Sequence, residues 1–322
     1  MRRLNVLILP LPKVYSPWID DVMAAIGDRH ALAVYDAHRS LEAQFDGVDV
    51  VIDQGGSVGT RPMMDAAHSA RLWQILGTGF DHFDLDYIRA KGIPVANCPG
   101  EFSSVALAET AMMFILMLAR RYRQSAANFR RGVLYEPLGM EIEDRTLGII
   151  GLGASGQDLA VRAKAFGMKI MAIDVRPIEA DVLEAIGPDF VGTPDDMERV
   201  LGESDFLSLH LHLNAETRHL IDARRLAQMK PTACLINVAR GALVDEEALY
   251  RALIDGRIAG AGLDAYAQEP PDGERPVYQL PNVVATPHIA GVTDGTSRKR
   301  AACAAENVER IARGQAPLYR ID

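Results

Sequence analysis

Cysteine is scarce in this chain, and anionic side chains outnumber cationic ones. The 322 residues include 3 cysteines, Cys98, Cys234 and Cys303, which lie far apart and form no CxxC pair. This spacing indicates buried apolar thiols in a reducing compartment, and it offers no zinc or other metal site. The net charge of −9 argues against a nucleic-acid-binding surface, which needs a basic face.

Long hydrophobic runs are missing as well. The longest, residues 105–119, is interrupted by Glu109 and is too short to cross a bilayer. The apolar run near the N-terminus is short and no small-residue cleavage site follows it, so it indicates a first β-strand over residues 5–9 rather than a signal peptide. We therefore expect a cytoplasmic protein without a membrane partner.

What the chain does contain is an alternation of short β-branched runs with amphipathic helices. This pattern predicts parallel sheets that are covered on both faces. A first series fills the N-terminal hundred residues, and a second begins at the strand 146–150. We expect a discontinuous substrate domain of residues 1–103 plus 291–322, and a dinucleotide-binding domain of residues 104–290. The last helix, predicted over residues 293–313, returns to the first domain.

Residues 151–156 read GLGASG and match the GxGxxG fingerprint, between a predicted strand and a helix-compatible run. Gly151 permits the tight turn, Gly153 lets the backbone approach a pyrophosphate, and Gly156 lets helix and strand pack closely. The pyrophosphate would rest on N–H groups at the helix N-terminus, which include those of Ala154 and Ser155. The alternative is an ordinary glycine-rich turn. With the fingerprint, the fold prediction is α/β: two doubly wound parallel-sheet domains, a Rossmann-type cofactor domain inserted in a flavodoxin-like substrate domain.

Asp174 lies eighteen residues after Gly156, at the end of the next predicted strand. A carboxylate at this position accepts hydrogen bonds from the adenosine ribose and repels a 2′-phosphate, so it favours NAD over NADP. The basic side chain of Arg176 would soften that repulsion. The alternative is a solvated acid at a strand end.

Three polar residues downstream carry the chemistry. Arg240 follows a predicted strand and suits the bidentate binding of a carboxylate. Glu269 precedes two prolines, and His288 ends the predicted strand 283–288. If Glu269 contacts His288, it stabilises the imidazolium, and His288 can then move the proton of a hydroxyl or ketone oxygen. A dinucleotide site, a carboxylate clamp and an acid/base pair together indicate hydride transfer to or from a 2-hydroxy acid.

Each member of this trio has an ordinary alternative: a salt-bridged arginine, a glutamate in a surface loop, a core histidine. The other seven histidines have no comparable partner in the sequence, and we assign them no role. They are His30, His38, His68, His82, His210, His212 and His219.

Several long segments in a fixed order resemble the D-isomer-specific 2-hydroxyacid dehydrogenase family, which includes phosphoglycerate dehydrogenases and glyoxylate/hydroxypyruvate reductases. The segments are GTGFDHFD (77–84), VALAETA (105–111), GLGASG (151–156), SDFLSLHLHLNAETRHLI (204–221), INVARGALVDEEAL (236–249), GLDAYAQEPP (262–271) and TPHIAG (286–291). The resemblance implies an enzyme that interconverts a 2-hydroxy acid and a 2-oxo acid with NAD. It also implies a homodimer joined through the cofactor domains.

The resemblance extends to individual positions. It implies that Arg240 binds the substrate carboxylate, that Glu269 supports the base His288, and that Asp264 lies against the nicotinamide carboxamide. The expected substrate contacts are Leu76, Gly77 and Thr78, through their backbone N–H groups, and Arg240. The expected cofactor contacts are Gly151, Gly153, Ala154, Ser155, Gly156, Asp174, Val238, Asp264 and Gly291.

The chain departs from the family in places. Ser155 stands where isoleucine or a similar apolar residue is usual, and His212 stands where proline is frequent. We expect no regulatory domain after Asp322.

Two other functions compete with the dehydrogenase. Formate dehydrogenases of related sequence pair the histidine with glutamine, and Glu269 argues against that activity. The C-terminal-binding corepressors share the fold and bind NAD without needing turnover, but this chain has no recognisable interaction tail. The sequence leaves the identity of the 2-hydroxy acid open.

Overall fold

The structure is a computed structural model that describes residues 2–11, 16–55 and 59–322. It divides into two compact units. Unit 1 comprises Met1–Phe102 and Thr293–Asp322, and unit 2 comprises Ser103–Val292.

Parallel strands form the centre of both units. In the described residues the strands are β1 (Asn5–Leu9), β2 (Ala31–Val34), β3 (Val50–Asp53), β4 (Leu72–Ile75), β5 (Val95–Ala96), β6 (Thr146–Ile150), β7 (Lys169–Ile173), β8 (Phe190–Gly192), β9 (Phe206–Leu209), β10 (Cys234–Asn237), β11 (Gly260–Leu263) and β12 (Val283–Ala285).

The α-helices lie between the strands and at the end of the chain. They are α1 (Ser16–Ile26), α2 (Leu41–Phe45), α3 (Arg61–Ala66), α4 (Leu85–Ala90), α5 (Ser104–Ala119), α6 (Tyr122–Arg130), α7 (Ala154–Ala165), α8 (Ala180–Ile186), α9 (Met197–Glu203), α10 (Ala223–Gln228), α11 (Glu246–Ile254), α12 (Pro276–Gln279) and α13 (Asp294–Ala312). Short 3₁₀ turns cover Gly27–Arg29, Gly100–Phe102, Pro194–Asp196 and Gly241–Leu243.

Unit 1 contains a five-stranded sheet in the order β2-β1-β3-β4-β5, with every pairing parallel. This is the flavodoxin-like strand order. The four residues of β3 and the four of β4 are all buried, as expected for strands with a covering layer on each face. The terminal helix α13 packs on α1 and supplies Ala304 and Val308 to the same apolar core as Val6.

Unit 2 contains a seven-stranded parallel sheet in the order β12-β11-β10-β9-β6-β7-β8. The chain winds outward from β6 in one direction and from β9 in the other, which makes the junction of β6 and β9 the topological switch point. Two apolar clusters lie in this unit, and α5 and α7 pack together in one of them. In such sheets, ligands bind at the carboxyl ends of the strands beside the switch point.

The predicted α/β class with two doubly wound parallel sheets is confirmed. One element boundary needs correction. The strand predicted over residues 283–288 ends at Ala285, so His288 lies in the turn that follows. The described helices include none that is both long and apolar enough to span a bilayer.

Candidate active site

The predicted polar residues of unit 2 follow the carboxyl ends of neighbouring strands. The glycine loop follows β6, Arg240 lies three residues beyond β10, and Asp264 directly follows β11. Because parallel strands end on the same edge of their sheet, these groups share one edge of unit 2, beside the switch point. The topology alone accounts for this placement.

The glycine loop has the geometry of a phosphate-binding turn. Gly151 has a φ of 96°, which favours glycine, and a Cβ on Gly156 would lie 2.2 Å from the Gly151 carbonyl oxygen. Helix α7 begins directly after Gly153. The N–H groups of its first turn have no acceptor within the helix, so they can bind an anion.

Asp174 closes the loop from the neighbouring strand. Its Oδ2 accepts a hydrogen bond from the Leu152 N–H at 2.8 Å, and its Oδ1 accepts one from the Arg176 N–H at 2.9 Å. The Arg176 Nε lies 3.3 Å from the same Oδ1. Asp174 is buried, so the alternative of a solvated acid is wrong. The carboxylate is instead held between the glycine loop and a cation.

His288 and Glu269 form the predicted pair. The imidazole Nδ1 lies 2.8 Å from Glu269 Oε1 and 2.7 Å from Oε2. Glu269 Oε1 also accepts a hydrogen bond from the Tyr266 N–H at 3.1 Å. The His288 side chain is 45% exposed, and Nε2 makes no hydrogen bond within the described part of the chain. The ring is therefore held through Nδ1, while its other nitrogen stays available.

The contact between His288 and Glu269 shifts the pKa of both side chains. The hydrogen bond that His288 Nδ1 donates to Glu269 raises the pKa of His288 against the opposing effect of burial, and the negative charges of Glu269 and Asp264 add to the rise. Burial would raise the pKa of Glu269, but the hydrogen bond and charge of His288 outweigh it and lower that pKa. The positive charge of Arg240 lowers the pKa of both groups. Both shifts favour imidazolium beside carboxylate over the neutral pair.

Asp264 anchors the turn that carries His288. Its Oδ1 accepts hydrogen bonds from Thr286 Oγ1 at 2.6 Å and from the Ile289 N–H at 2.8 Å, and its Oδ2 accepts one from the Ala290 N–H at 2.7 Å. Burial raises the pKa of this carboxyl, although the three donors oppose the rise. His288 has a φ of 55°, and these bonds on both sides of it hold that left-handed conformation.

Arg240 is placed by a tight backbone junction. Its carbonyl accepts a hydrogen bond from Asn237 Nδ2 at 2.9 Å, and its Nη1 donates to the Ala239 carbonyl at 2.9 Å. A Cβ on the next residue, Gly241, would lie 1.8 Å from the carbonyl carbon of Tyr266. The backbone of the Arg240 turn therefore packs directly on the segment that leads to Glu269.

The structure places the predicted substrate loop in unit 1, after β4. The prediction for Leu76 is wrong in one respect, because its N–H already donates to the Asp53 carbonyl at 2.9 Å as a continuation of the sheet ladder. The carbonyl oxygens of Gly77 and Thr78 accept hydrogen bonds from the Cys98 N–H at 3.1 Å and from Asn97 Nδ2 at 2.8 Å. These bonds hold the loop through its carbonyl oxygens. With the Leu76 N–H already bonded, the N–H groups of Gly77 and Thr78 are the candidate donors to a substrate carboxylate.

Two expected cofactor contacts need comment. Val238 is buried and packs in the apolar core of unit 2. Gly291 is half-buried and follows Ala290, which is bonded to Asp264.

His210, to which the sequence assigned no role, has two side-chain partners in the structure. Its Nδ1 lies 2.9 Å from Ser155 Oγ and its Nε2 lies 2.9 Å from Ser208 Oγ. No local signal in the sequence pairs His210 with Ser155, because the two residues are 55 positions apart. Thr286 and Tyr266 were also missed, since their roles depend on the folded turn.

Comparison with known proteins identifies the family. Residues 112–290 match the profile described as D-isomer specific 2-hydroxyacid dehydrogenase, NAD binding domain. The glyoxylate reductase of Korarchaeum cryptofilum is 39% identical over 261 residues, which are 79% of this chain and 77% of that protein. The D-3-phosphoglycerate dehydrogenase of Methanocaldococcus jannaschii is 37% identical over 269 residues, 83% of this chain but 50% of that longer relative. A solved acyclic imino acid reductase in complex with NADPH and D-Arg has a TM-score of 0.82 and 28% identity, and covers 99% of this chain and 100% of its own.

The chain belongs to the D-isomer-specific 2-hydroxyacid dehydrogenase family. It is an oxidoreductase of 2-hydroxy and 2-oxo acids that uses a nicotinamide cofactor.

Proposed function

We propose that His288 is the general acid and base of this reaction and that Glu269 tunes it. A bound NADH would supply the hydride that reduces the carbonyl carbon of a 2-oxo acid, and His288 Nε2 would donate the proton that the carbonyl oxygen needs. The products would be NAD and a 2-hydroxy acid, and in the oxidation His288 would accept the hydroxyl proton. The observation that carries this proposal is the double contact of Nδ1 with Glu269 at 2.7 and 2.8 Å, which directs the reactive proton to Nε2.

Arg240 is the proposed partner of the substrate carboxylate. Its charge is close enough to His288 and Glu269 to lower the pKa of each. A fixed cation beside the acid/base pair suits a substrate whose carboxylate adjoins the reacting carbon, since guanidinium binds carboxylate through two parallel hydrogen bonds. The N–H groups of Gly77 and Thr78 are proposed as further carboxylate donors, on the family resemblance.

The cofactor would bind along the glycine loop, with its pyrophosphate at the first turn of α7 and its adenosine ribose at Asp174. The residues present fit this group, because the first turn offers unbonded N–H groups and Asp174 is a buried acceptor. Asp264 is proposed to lie against the nicotinamide carboxamide while it anchors the turn of His288. The cofactor supplies or accepts the hydride.

We propose NAD in preference to NADP, because Asp174 would repel a 2′-phosphate. The contact of Arg176 with Asp174 weakens that repulsion, so the preference should be modest. The test compares kcat/KM for NADH and NADPH in the wild type and in Arg176→Ala. We expect a higher kcat/KM with NADH than with NADPH, and a larger ratio between the two in Arg176→Ala. A wild type that prefers NADPH would refute the assignment.

A homodimer joined through unit 2 and a cytoplasmic location are the remaining proposals. The end of α6 and the segment after it expose large apolar side chains: Phe129 is 85% exposed, Leu134 71%, Tyr135 99% and Leu138 87%. A patch of this kind is typical of a protein-protein contact, and a second copy is the commonest partner. Sedimentation of the wild type and of Tyr135→Ser tests it, and a monomeric wild type would refute it.

Turnover is the decisive test of the reaction. The full chain is incubated with NADH and a panel of 2-oxo acids that includes glyoxylate, hydroxypyruvate and pyruvate, and the loss of NADH absorbance is followed. Oxidation that depends on the 2-oxo acid is expected. Tight NADH binding without oxidation by any acid would favour a dinucleotide-sensing protein, and oxidation of formate by NAD would favour a formate dehydrogenase.

A further inference from the structure

A chain of three side chains links the interior of unit 2 to the glycine loop. Ser208 lies within β9 and is fully buried, His210 follows the end of that strand, and Ser155 is the second residue of α7. The imidazole bridges the two hydroxyl groups, with 2.9 Å to each. The acid/base chemistry at His288 uses none of the three.

The hydrogen bonds among Ser208, His210 and Ser155 run in a definite direction. Burial lowers the pKa of His210 to about 4, so the imidazole is neutral at pH 7 and one nitrogen donates while the other accepts. Within the described residues, the Ser208 hydroxyl has His210 Nε2 as its hydrogen-bond partner, and a buried hydroxyl hydrogen requires an acceptor. Ser208 therefore donates to Nε2. The ring proton must then be on Nδ1, which donates to Ser155 Oγ.

This direction leaves the hydrogen of the Ser155 hydroxyl free to donate. Ser155 is half-buried, and His210 is the partner of its side chain within the part of the chain that the structure describes. It belongs to the first turn of a twelve-residue helix, where the backbone N–H groups and the helix dipole favour an anion. A hydroxyl donor here adds to that favourable field, which an isoleucine side chain would not do.

We propose that Ser155 donates a hydrogen bond to a pyrophosphate oxygen of the bound dinucleotide, and that His210 and Ser208 are positioning residues that orient its hydroxyl. The proposal deepens the proposed cofactor site and rests on the glycine loop being the pyrophosphate site. Its ligand chemistry is that of a diphosphate ester. The affinity for adenosine, which lacks phosphate, should not depend on the Ser155 hydroxyl.

The test measures the affinity of the full chain for ADP and NADH by calorimetry, with adenosine as a competitor of NADH. Ser155→Ala should weaken ADP and NADH binding by about tenfold, the usual scale for a hydrogen bond to a charged group, and Ser155→Thr should restore it. Ser125→Ala is the matched control. Ser125 lies on α6 and its hydroxyl donates to the Arg120 carbonyl, so its removal should leave ADP affinity unchanged.

The positioning part is tested by Ser208→Ala. Without Ser208 the imidazole can place its proton on Nε2, and Ser155 can then donate to Nδ1 instead of to the ligand. We expect a smaller loss of ADP affinity than in Ser155→Ala, and no further loss in the double variant, because both changes remove the same interaction. Additive losses would overturn the coupling.

Unchanged ADP affinity in Ser155→Ala would overturn the proposal, as would a loss that Ser155→Thr fails to restore or that is equal for adenosine. These results differ from a failure of the proposed reaction. If the wild type binds ADP and NADH, and Ser155→Ala weakens that binding, but no 2-oxo acid causes NADH oxidation, only 2-oxo acid reduction is refuted. If the wild type turns over but Ser155→Ala binds ADP as tightly as the wild type, only the hydrogen bond is refuted.

Discussion

Replacing His288 by asparagine separates the chemistry of the imidazole from the backbone geometry of its turn. His288 has a φ of 55°, a conformation that asparagine tolerates better than alanine does. The N–H groups of Ile289 and Ala290 would keep their bonds to Asp264, since these are backbone donors. The change therefore removes the proton donor and leaves the turn in place.

The expected loss follows from the role of the ring. A positioned general acid contributes roughly 10²–10⁴-fold to the rate, which corresponds to about 3–5 kcal/mol of transition-state stabilisation. Both carboxylate oxygens of Glu269 contact Nδ1, which orients the ring, and Glu269 raises the pKa of His288, so the imidazole stays protonated to a higher pH than it would without that carboxylate. Asparagine donates hydrogen bonds but cannot transfer a proton. We expect kcat/KM for 2-oxo acid reduction to fall by about 10²–10⁴-fold.

The assay is the initial rate of NADH oxidation with the best acid of the panel, together with the Kd of NADH from its fluorescence. His219→Asn is the matched control, because His219 also has a positive φ, 51°, and is exposed in the same unit. Its rate should equal that of the wild type. Wild-type turnover in His288→Asn would remove the histidine from the proton transfer.

Two further variants test the surroundings of the pair. Arg240→Lys keeps the charge but loses the bidentate geometry, so kcat/KM for the carboxylate substrate should fall by roughly tenfold or more, and unchanged kcat/KM would exclude the carboxylate clamp. Gly241→Ala forces a Cβ to 1.8 Å from a backbone carbon of Tyr266; it should lower the free energy of unfolding by about 1–3 kcal/mol or more. Gly273→Ala has no atom within 4 Å of its new Cβ and serves as the control in denaturant unfolding. Equal stability of the two alanine variants would contradict this packing.

The strands were the most predictable part of the fold. β1 and β6 begin and end where their β-branched runs predict, because a buried parallel strand is a continuous apolar run. β12 is shorter than predicted, since the chain turns at Pro287 to place His288. Helix α6 was not predicted, because its sequence YRQSAANFR is polar and its phenylalanine points to solvent. Apolar periodicity does not detect a helix of this composition.

The sequence could identify the reactive residues but not all of their contacts. The proximity of His288 and Glu269 was predictable as a hypothesis, because motif spacing placed both after strands of one sheet. The bond of the Leu76 N–H to Asp53, and the pairing of Arg176 with Asp174, depend on backbone register and rotamer. The link between His210 and Ser155 joins residues 55 positions apart and has no local signal.

The most direct test of the acid/base pair is the pH dependence of kcat/KM for 2-oxo acid reduction in the wild type and in Glu269→Gln. Because Glu269 raises the pKa of His288, the protonated donor persists to higher pH in the wild type, and activity is lost as pH rises through that pKa. Glutamine retains a hydrogen-bond acceptor but not the charge, so the loss should begin at lower pH. Glu247→Gln, an exposed carboxylate paired with Arg251 in the same unit, should leave the profile unchanged. Superimposable wild-type and Glu269→Gln profiles would show that the carboxylate does not set the proton affinity of His288.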